Sequence, residues 1–393
     1  MSIYRQFGIE PIINASGTLT RLSGAIMPDA VVEAMKLAAQ STVPLDDLHA
    51  AAARVIARST GTESGLVTCG ASAALTLGAA AILAGNDLAR IHQLPDTTDC
   101  PNEFLVAVDQ RNGYDHAVRA AGVRLVNVGM NEVVAGSGIR GVEIADFEHA
   151  RTGRTAGILY VYRENARPTL REVVNWGHAN QLPILVDAAA ELTRRANLRD
   201  IPATGAHLVA FSGGKAIRGP QSTGILCGRL ALIESAAMQM LDMDVAREDW
   251  NPPSDFIDPV RWPALPRQGI GRGFKVAKEQ IVGLMVALEL FVQGENDGDR
   301  RAIVGRAERI IASLRNASIE AHLGKDDGDQ LGPIEIPIET DLEPILTSLR
   351  VGQPPIYARS NDERTTLLIR LSCVRPDQDN ILIDRLKEAI KRL

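Results

Sequence analysis

The sequence predicts an α/β fold, with a mostly parallel sheet covered by helices and a small C-terminal α+β domain after it. Three observations predict this. Short apolar runs alternate with helix-length segments from residue 46 to 227, the pattern of strands buried on both faces and joined by crossover helices. Pro252, Pro253, Pro259, Pro263 and Pro266 then break up residues 242–268 into a long connection. Beyond it the pattern changes to helix, strand, strand, helix.

The elements follow in order. Residues 28–36 read as a helix, with Pro28 early and Asp29 in its first turn. Asp46 and Asp47 open an Ala-rich helix over 50–59, and Gly61 marks its end. A strand over 66–69 leads through Gly70, Ala71 and Ser72 into a helix over 73–83. Strands are expected at 104–108, 124–128 and 157–161, with helices at 116–121 and 170–181. The strand at 184–186 ends on Asp187, that at 207–211 ends at Ser212, and another runs over 223–227. A helix over 275–292 precedes a helix over 301–316, strands near 332–338 and 366–371, and a last helix over 379–393. The domains expected are an N-terminal arm (1–45), a large α/β domain (46–268), and an interface helix with the small domain (269–393).

Composition narrows the function classes. A chain of 393 residues is long enough for two or three domains at ~150 residues each and buries its core without disulfide staples. The four cysteines are far apart, with no CxxC, as reduced thiols would be. Acidic residues exceed basic ones and the net charge is −6, which argues against bulk nucleic-acid binding. No basic leader with an apolar run opens the sequence, and no apolar stretch reaches the ~20 residues of a membrane span. A cytoplasmic location is expected, with no membrane or nucleic-acid partner.

Several motifs bear on chemistry. The segment GSGIRG (136–141) matches GxGxxG but lacks the strand, the helix and the later acidic strand end of a dinucleotide site. It reads as a glycine-rich surface loop. Gly70, Ala71 and Ser72 stand between a strand and a helix, where backbone N–H groups and a hydroxyl make an anion site or merely cap the helix. Asp187 ends an apolar strand; a carboxylate there needs a cation, unless it is an N-cap. Lys215 follows a strand at once, flanked by Ser212, Gly213 and Gly214. Glycines let such a loop approach a ligand, and a lysine so placed suits Schiff-base chemistry. Arg163, Arg167 and Arg171 recur every four residues, as a phosphate-binding set or as a solvated face.

Together, the phosphate turn at Gly70, the carboxylate Asp187 and the amine Lys215 are the three groups that pyridoxal phosphate requires. No metal site is expected: His116, Asp187 and Glu191 lack metal-ligand spacing.

The chain resembles the fold-type I pyridoxal phosphate enzymes of the selenocysteine synthase-like group, nearest the D-glucosaminate-6-phosphate ammonia-lyase-like branch. The stretches that carry the resemblance are INASGTLTR (13–21), LDDLH (45–49), VTCGASA (67–73), NGYDH (112–116), VDAAAE (186–191), SGGKA (212–216) with GPQ (219–221), GRGFK (271–275) and RVGQPPIYAR (350–359). The resemblance implies that Lys215 carries the cofactor as a Schiff base and that Asp187 pairs with its ring nitrogen. It implies cofactor contacts from Gly70, Ala71, Ser72, Gln110, Ser212 and Gly214, with Arg272 and Lys275 serving a neighbouring subunit. It implies substrate contacts from Thr20, Arg21, Asp47 and Arg359, the last taking a carboxylate as an ion pair. Gln110 stands where the group often carries a ring-stacking His. A homo-oligomer is implied.

The expected reaction is an α,β-elimination that releases ammonia from a β-hydroxy amino acid or amino sugar acid, with Lys215 as the Cα base. Racemisation, retro-aldol cleavage, transamination, selenium transfer and a non-catalytic binding role are the alternatives.

Overall fold

A computed structural model describes residues 2–130, 141–262, 264–294 and 296–391. The chain forms two compact units: the larger comprises Met27–Leu192 and Ala196–Glu289, the smaller Met1–Ile26, Thr193–Arg195 and Leu290–Leu393. These boundaries differ from those drawn at 45/46 and 268/269 in the sequence. The motif at 136–141 lies outside the described residues except for Gly141.

In chain order the strands are β1 (Ile13–Asn14), β2 (Ser64–Thr68), β3 (Glu103–Ala107), β4 (Arg124–Val128), β5 (Thr155–Val161), β6 (Ile184–Asp187), β7 (Leu208–Ser212), β8 (Gly224–Gly228), β9 (His322–Leu323), β10 (Ile334–Pro337), β11 (Ile356–Tyr357), β12 (Arg359–Ser360) and β13 (Thr366–Ile369). The larger unit holds a seven-stranded sheet in the order β2-β8-β7-β6-β5-β3-β4. Its pairings are parallel except for those of β8 with β2 and β7. The mostly parallel α/β sheet expected from the sequence is therefore present.

The reversal at β8 has a local cause. Only residues 213–223 separate β7 from β8, and a parallel return needs a crossover of a dozen or more residues, usually with a helix.

The helix Gly70–Ala84 is buried throughout residues 73–81, as a helix hydrophobic on every side must be. Gly78 makes that fit possible: a Cβ there would stand 2.9 Å from Leu185 and 3.4 Å from both Leu208 and Leu226. The helix thus lies close on β6, β7 and β8, with its N-terminus at the edge where β2 ends.

The segment 242–268 contains only one short 3-10 turn (Pro259–Arg261) among its described residues, but it is no surface loop. Met243, Trp250, Phe256, Ile257 and Trp262 are buried in the main core. Burying aromatic side chains offsets the entropy of ordering so long a connection.

The smaller unit has a four-stranded sheet, β12-β13-β10-β9, with antiparallel pairings, and a parallel pair β1-β11. Ile334, Ile336, Leu367 and Ile369 point into a core shared with the helices Asn296–Arg315, Glu343–Val351 and Asp379–Lys391. The alternation along β10 and β13 leaves Glu335 and Leu368 on the outer face. The helices Leu230–Met240 and Glu343–Val351 were not foreseen.

Candidate active site

The strands β2, β3, β5, β6 and β7 run in one direction, so their C-terminal ends share one edge of the sheet. In such sheets that edge is where ligands bind. Thr68 and Ser212 both pair with Gly224, and Asp187 pairs with Ala210 on one side and Val161 on the other. Gly70, Ala71, Ser72, Asp187, Ser212, Gly214 and Lys215 therefore come together at this edge from sequence positions far apart.

The turn at Gly70 is shaped by backbone. Gly70 has φ +85°, a conformation that favours glycine, and the Thr68 hydroxyl donates to its carbonyl at 3.0 Å. No side chain caps the helix that starts here. Its first N–H groups lack intrahelical acceptors, beside an exposed Ser72 and half-exposed Gly70 and Ala71. A Cβ on Gly224 would collide with the Gly70 carbonyl carbon and stand 2.6 Å from the Ala71 nitrogen. The bare backbone of β8 thus forms the floor of the turn.

The lysine loop is tied to the same strand. Gly213 N–H donates to the Thr223 carbonyl at 2.9 Å, Gly219 N–H to the Gly213 carbonyl at 2.9 Å, and Arg218 N–H to the Lys215 carbonyl at 3.0 Å. A Cβ on Gly214 would lie 2.5 Å from the Gln221 carbonyl oxygen. The loop is close-packed, and Lys215 leaves it half-buried, with no side-chain hydrogen bond or ion pair among the described residues.

Asp187 is half-buried and accepts a hydrogen bond from Ala189 N–H at 3.0 Å. Desolvation raises its pKa above the usual aspartate value, against the opposing pull of the Ala189 N–H and the Lys215 charge. A carboxylate in that state is completed by a cation.

Gln110 lies in the 3-10 turn that follows β3. Its Oε1 accepts from Val161 N–H at 3.0 Å, and the side chain is buried. Its Nε2 has no hydrogen-bond partner among the described residues.

Arg272 and Lys275 lie elsewhere on the larger unit. They belong to the turn Ile270–Phe274 and its cap, and Gly271 of that turn packs against Leu77, two helical turns from Gly70. Arg272 pairs with Asp242, and Lys275 is exposed. Asp47 is exposed in the first turn of the helix Leu45–Thr60. That helix meets β2 where Ile56 covers Gly65. Arg163 and Arg167 are exposed in the loop after β5, and Arg171 is exposed in the helix Leu170–Ala179; Arg163 donates to the Asp109 carbonyl.

In the smaller unit Thr20 and Arg21 are exposed on the turn Thr20–Leu22, and Arg359 is exposed on β12. One residue there was missed. Arg370 ends the apolar run of β13, half-buried, with no side-chain partner among the described residues. The signal was present: a cation in an apolar strand demands an anion, the argument already applied to Asp187.

The donor set at the sheet edge fits pyridoxal phosphate: an uncapped helix N-terminus for an anion, a desolvated carboxylate for a cation, and an unpaired amine. The fold is that of the fold-type I pyridoxal phosphate enzymes, and the chain is similar to members of the selenocysteine synthase-like group. No protein-family model matches the chain. It is 29% identical over 372 residues to the D-glucosaminate-6-phosphate ammonia lyase of Salmonella typhimurium, covering 91% of this chain and 89% of that one. It is 27% identical over 402 residues to a 5'-C-glycyluridine monooxygenase-decarboxylase of a Streptomyces species, covering 98% and 92%. A solved D-glucosaminate-6-phosphate ammonia-lyase superposes with a TM-score of 0.81 at 26% identity, over 100% of this chain and 99% of that one.

Proposed function

We propose that this protein is a pyridoxal phosphate-dependent ammonia-lyase acting on a β-hydroxy amino acid or amino sugar acid, with D-glucosaminate 6-phosphate as one candidate. The observation that carries this reading is the meeting of the Gly70 turn, Asp187 and Lys215 at one sheet edge, in a chain similar throughout its length to such a lyase.

When bound, the cofactor supplies an electron sink for the bonds at the substrate's Cα. The chain's residues do the rest. Backbone N–H groups at Ala71 and Ser72, with the hydroxyls of Ser72 and Ser212, hold the phosphate. The Asp187 carboxylate keeps a proton on the ring nitrogen. Lys215 Nζ, fixed by a close-packed loop, takes the proton from Cα as the β-substituent leaves. Arg359, which carries no competing ion pair among the described residues, fits a substrate carboxylate. Arg272 and Lys275 are assigned to a neighbouring copy in a homo-oligomer, and the chain to the cytoplasm; among the described residues no helix is long and apolar enough to cross a membrane.

The test is a visible spectrum of the purified protein before and after borohydride, with Lys215→Ala alongside. A band that borohydride bleaches and the variant lacks is expected. Release of a 2-oxo acid and ammonia from β-hydroxy amino acids or phosphorylated amino sugar acids then supports the lyase; none from any of them overturns it.

A second reading has one observation in its favour. The Streptomyces relative, a monooxygenase-decarboxylase by name, matches a larger share of the chain at nearly equal identity. Oxygen consumption and carbon dioxide release, in place of ammonia, would favour that chemistry.

A further inference from the structure

Ser222 stands at the binding edge of the larger unit, between its two functional loops. It comes two residues before Gly224, the residue of β8 that pairs with both Thr68 and Ser212. β8 runs antiparallel to both neighbours, so the residues just before it lie beyond the C-terminal ends of β2 and β7. The Ser222 carbonyl oxygen is 3.8 Å from where a Cβ on Gly70 would be. The phosphate turn is therefore on one side of Ser222 and the loop of Lys215 on the other.

The helix Lys278–Gln293 forms a wall behind that loop. A Cβ on Gly213 would stand 2.6 Å from Leu284 Cδ1, and one on Gly219 would stand 3.4 Å from Ala287. Gly283 faces Pro220, whose Cγ is 2.9 Å from where its Cβ would be. Gln280 is one turn before Leu284 and so shares its face. Its Nε2 donates to Ser222 Oγ at 2.7 Å, and both side chains are half-buried.

The direction of this bond sets what the hydroxyl can do. The amide takes a lone pair of Oγ, so the hydroxyl keeps its own proton to give. That proton has no acceptor among the described residues. A phosphate has three strong acceptor oxygens. Neither 68–73 nor 219–224 contains a cation, so these stretches meet a phosphate with backbone dipoles and hydroxyl groups alone. Each oriented hydroxyl then counts.

We infer that Ser222 is a further donor to the cofactor phosphate and that Gln280 is the positioning residue that aims it. Gln280 touches neither cofactor nor substrate. It holds the serine in one rotamer before the phosphate arrives, so that entropy is not lost on binding. Neither residue belongs to the stretches that carry the family resemblance. The inference rests on the cofactor and not on the reaction.

The test is a spectral titration of the full chain, stripped of cofactor, with pyridoxal phosphate and with pyridoxal, which reaches Lys215 but has no phosphate. Ser222→Ala should weaken pyridoxal phosphate at least about 10-fold, the loss of one hydrogen bond to a charged group, and leave pyridoxal unchanged. Unchanged pyridoxal binding also shows that the variant folds. Gln280→Ala should lose a smaller part of the same affinity. Gln280→Glu keeps the length but can only accept, so it takes the Ser222 proton and should lose more than Gln280→Ala. The double variant Ser222→Ala with Gln280→Ala should bind no more weakly than Ser222→Ala alone, because Gln280 acts only through the serine. Equal losses for pyridoxal and pyridoxal phosphate, or no loss for either, overturn Ser222 as a donor. Losses that multiply in the double variant overturn Gln280 as its positioning residue. No substrate is present, so these outcomes leave the lyase reading untouched, and a failure to release 2-oxo acid leaves this inference untouched.

Discussion

Asp187 and Lys215 stand at the ends of adjacent parallel strands, and the lysine's charge is felt by the carboxylate without an ion pair between them. Desolvation outweighs that pull, so Asp187 holds its proton to a higher pH than a free aspartate. The sign follows. With the carboxyl pKa raised in the folded state, Asp187 weakens the ligand-free fold as pH rises through that value. A cofactor whose ring nitrogen arrives already protonated would reverse the shift, so its binding would release the Asp187 proton and weaken on acidification. Asp187→Asn should lower cofactor affinity by about 100-fold or more, the effect of removing one partner of a buried charge pair, and flatten its pH dependence. Spectral titration of the cofactor as the pH is lowered from neutral measures both.

Gly224 offers a test of the phosphate turn that touches no polar group. An added methyl would collide with the Gly70–Ala71 backbone, so Gly224→Ala should move the turn. Cofactor affinity is expected to fall at least 10-fold, with Lys215 still able to react. If affinity for pyridoxal, which has no phosphate, falls by the same factor, the turn is not the phosphate site.

Much of this edge was legible in the sequence because its parts are local. Strand-end Asp187, the glycine-flanked Lys215 and the Gly70 turn each break an apolar run with a residue that burial alone disfavours. The unforeseen parts depend on pairing partners far away in sequence. Gln110 reads as a cofactor contact, and the sequence gives no sign that Val161 N–H meets its Oε1. Residues 242–268 read as a long connecting loop because their prolines speak and their scattered aromatics, buried in the main core, do not. Arg370 was visible as a charge in an apolar strand, but its neighbour Arg359 is defined only by the register with Leu368. The reversal of β8 was within reach, since its loop is too short for a parallel crossover.

His49 predicts acid sensitivity of the larger unit. It is 2% exposed, lies flat on Phe256 at 6.3 Å between ring centres, and its Nδ1 has no partner among the described residues. Desolvation lowers its pKa from 6.5 to about 4. The unfolded chain therefore takes up a proton between 6.5 and 4 that the folded chain refuses, and stability falls as pH falls through that window. The loss from this one imidazole is about 2 kcal/mol between pH 7 and pH 5. His207, also lowered to about 4, adds a smaller part because it is more exposed. Urea unfolding at both pH values should show the loss, and His49→Phe should reduce it by that amount; an unchanged pH slope in the variant would remove His49 as the cause.

The smaller unit carries a buried ion pair with no evident part in binding. Arg306 and Asp379 are 7% and 8% exposed, joined through Nε at 2.9 Å and a terminal nitrogen at 2.7 Å, and that nitrogen also donates to the Val374 carbonyl at 2.7 Å. Together they tie the helix Asn296–Arg315 to the start of the helix Asp379–Lys391. Asp379→Ala leaves a guanidinium buried without its counter-charge, which costs about 3–5 kcal/mol. Replacing both residues with apolar ones, Arg306→Met with Asp379→Leu, removes the orphaned charge and should recover most of that loss. Chemical denaturation of the two variants decides it. If the double variant is no more stable than Asp379→Ala, the pair contributes through its hydrogen-bond geometry to the Val374 carbonyl rather than through charge.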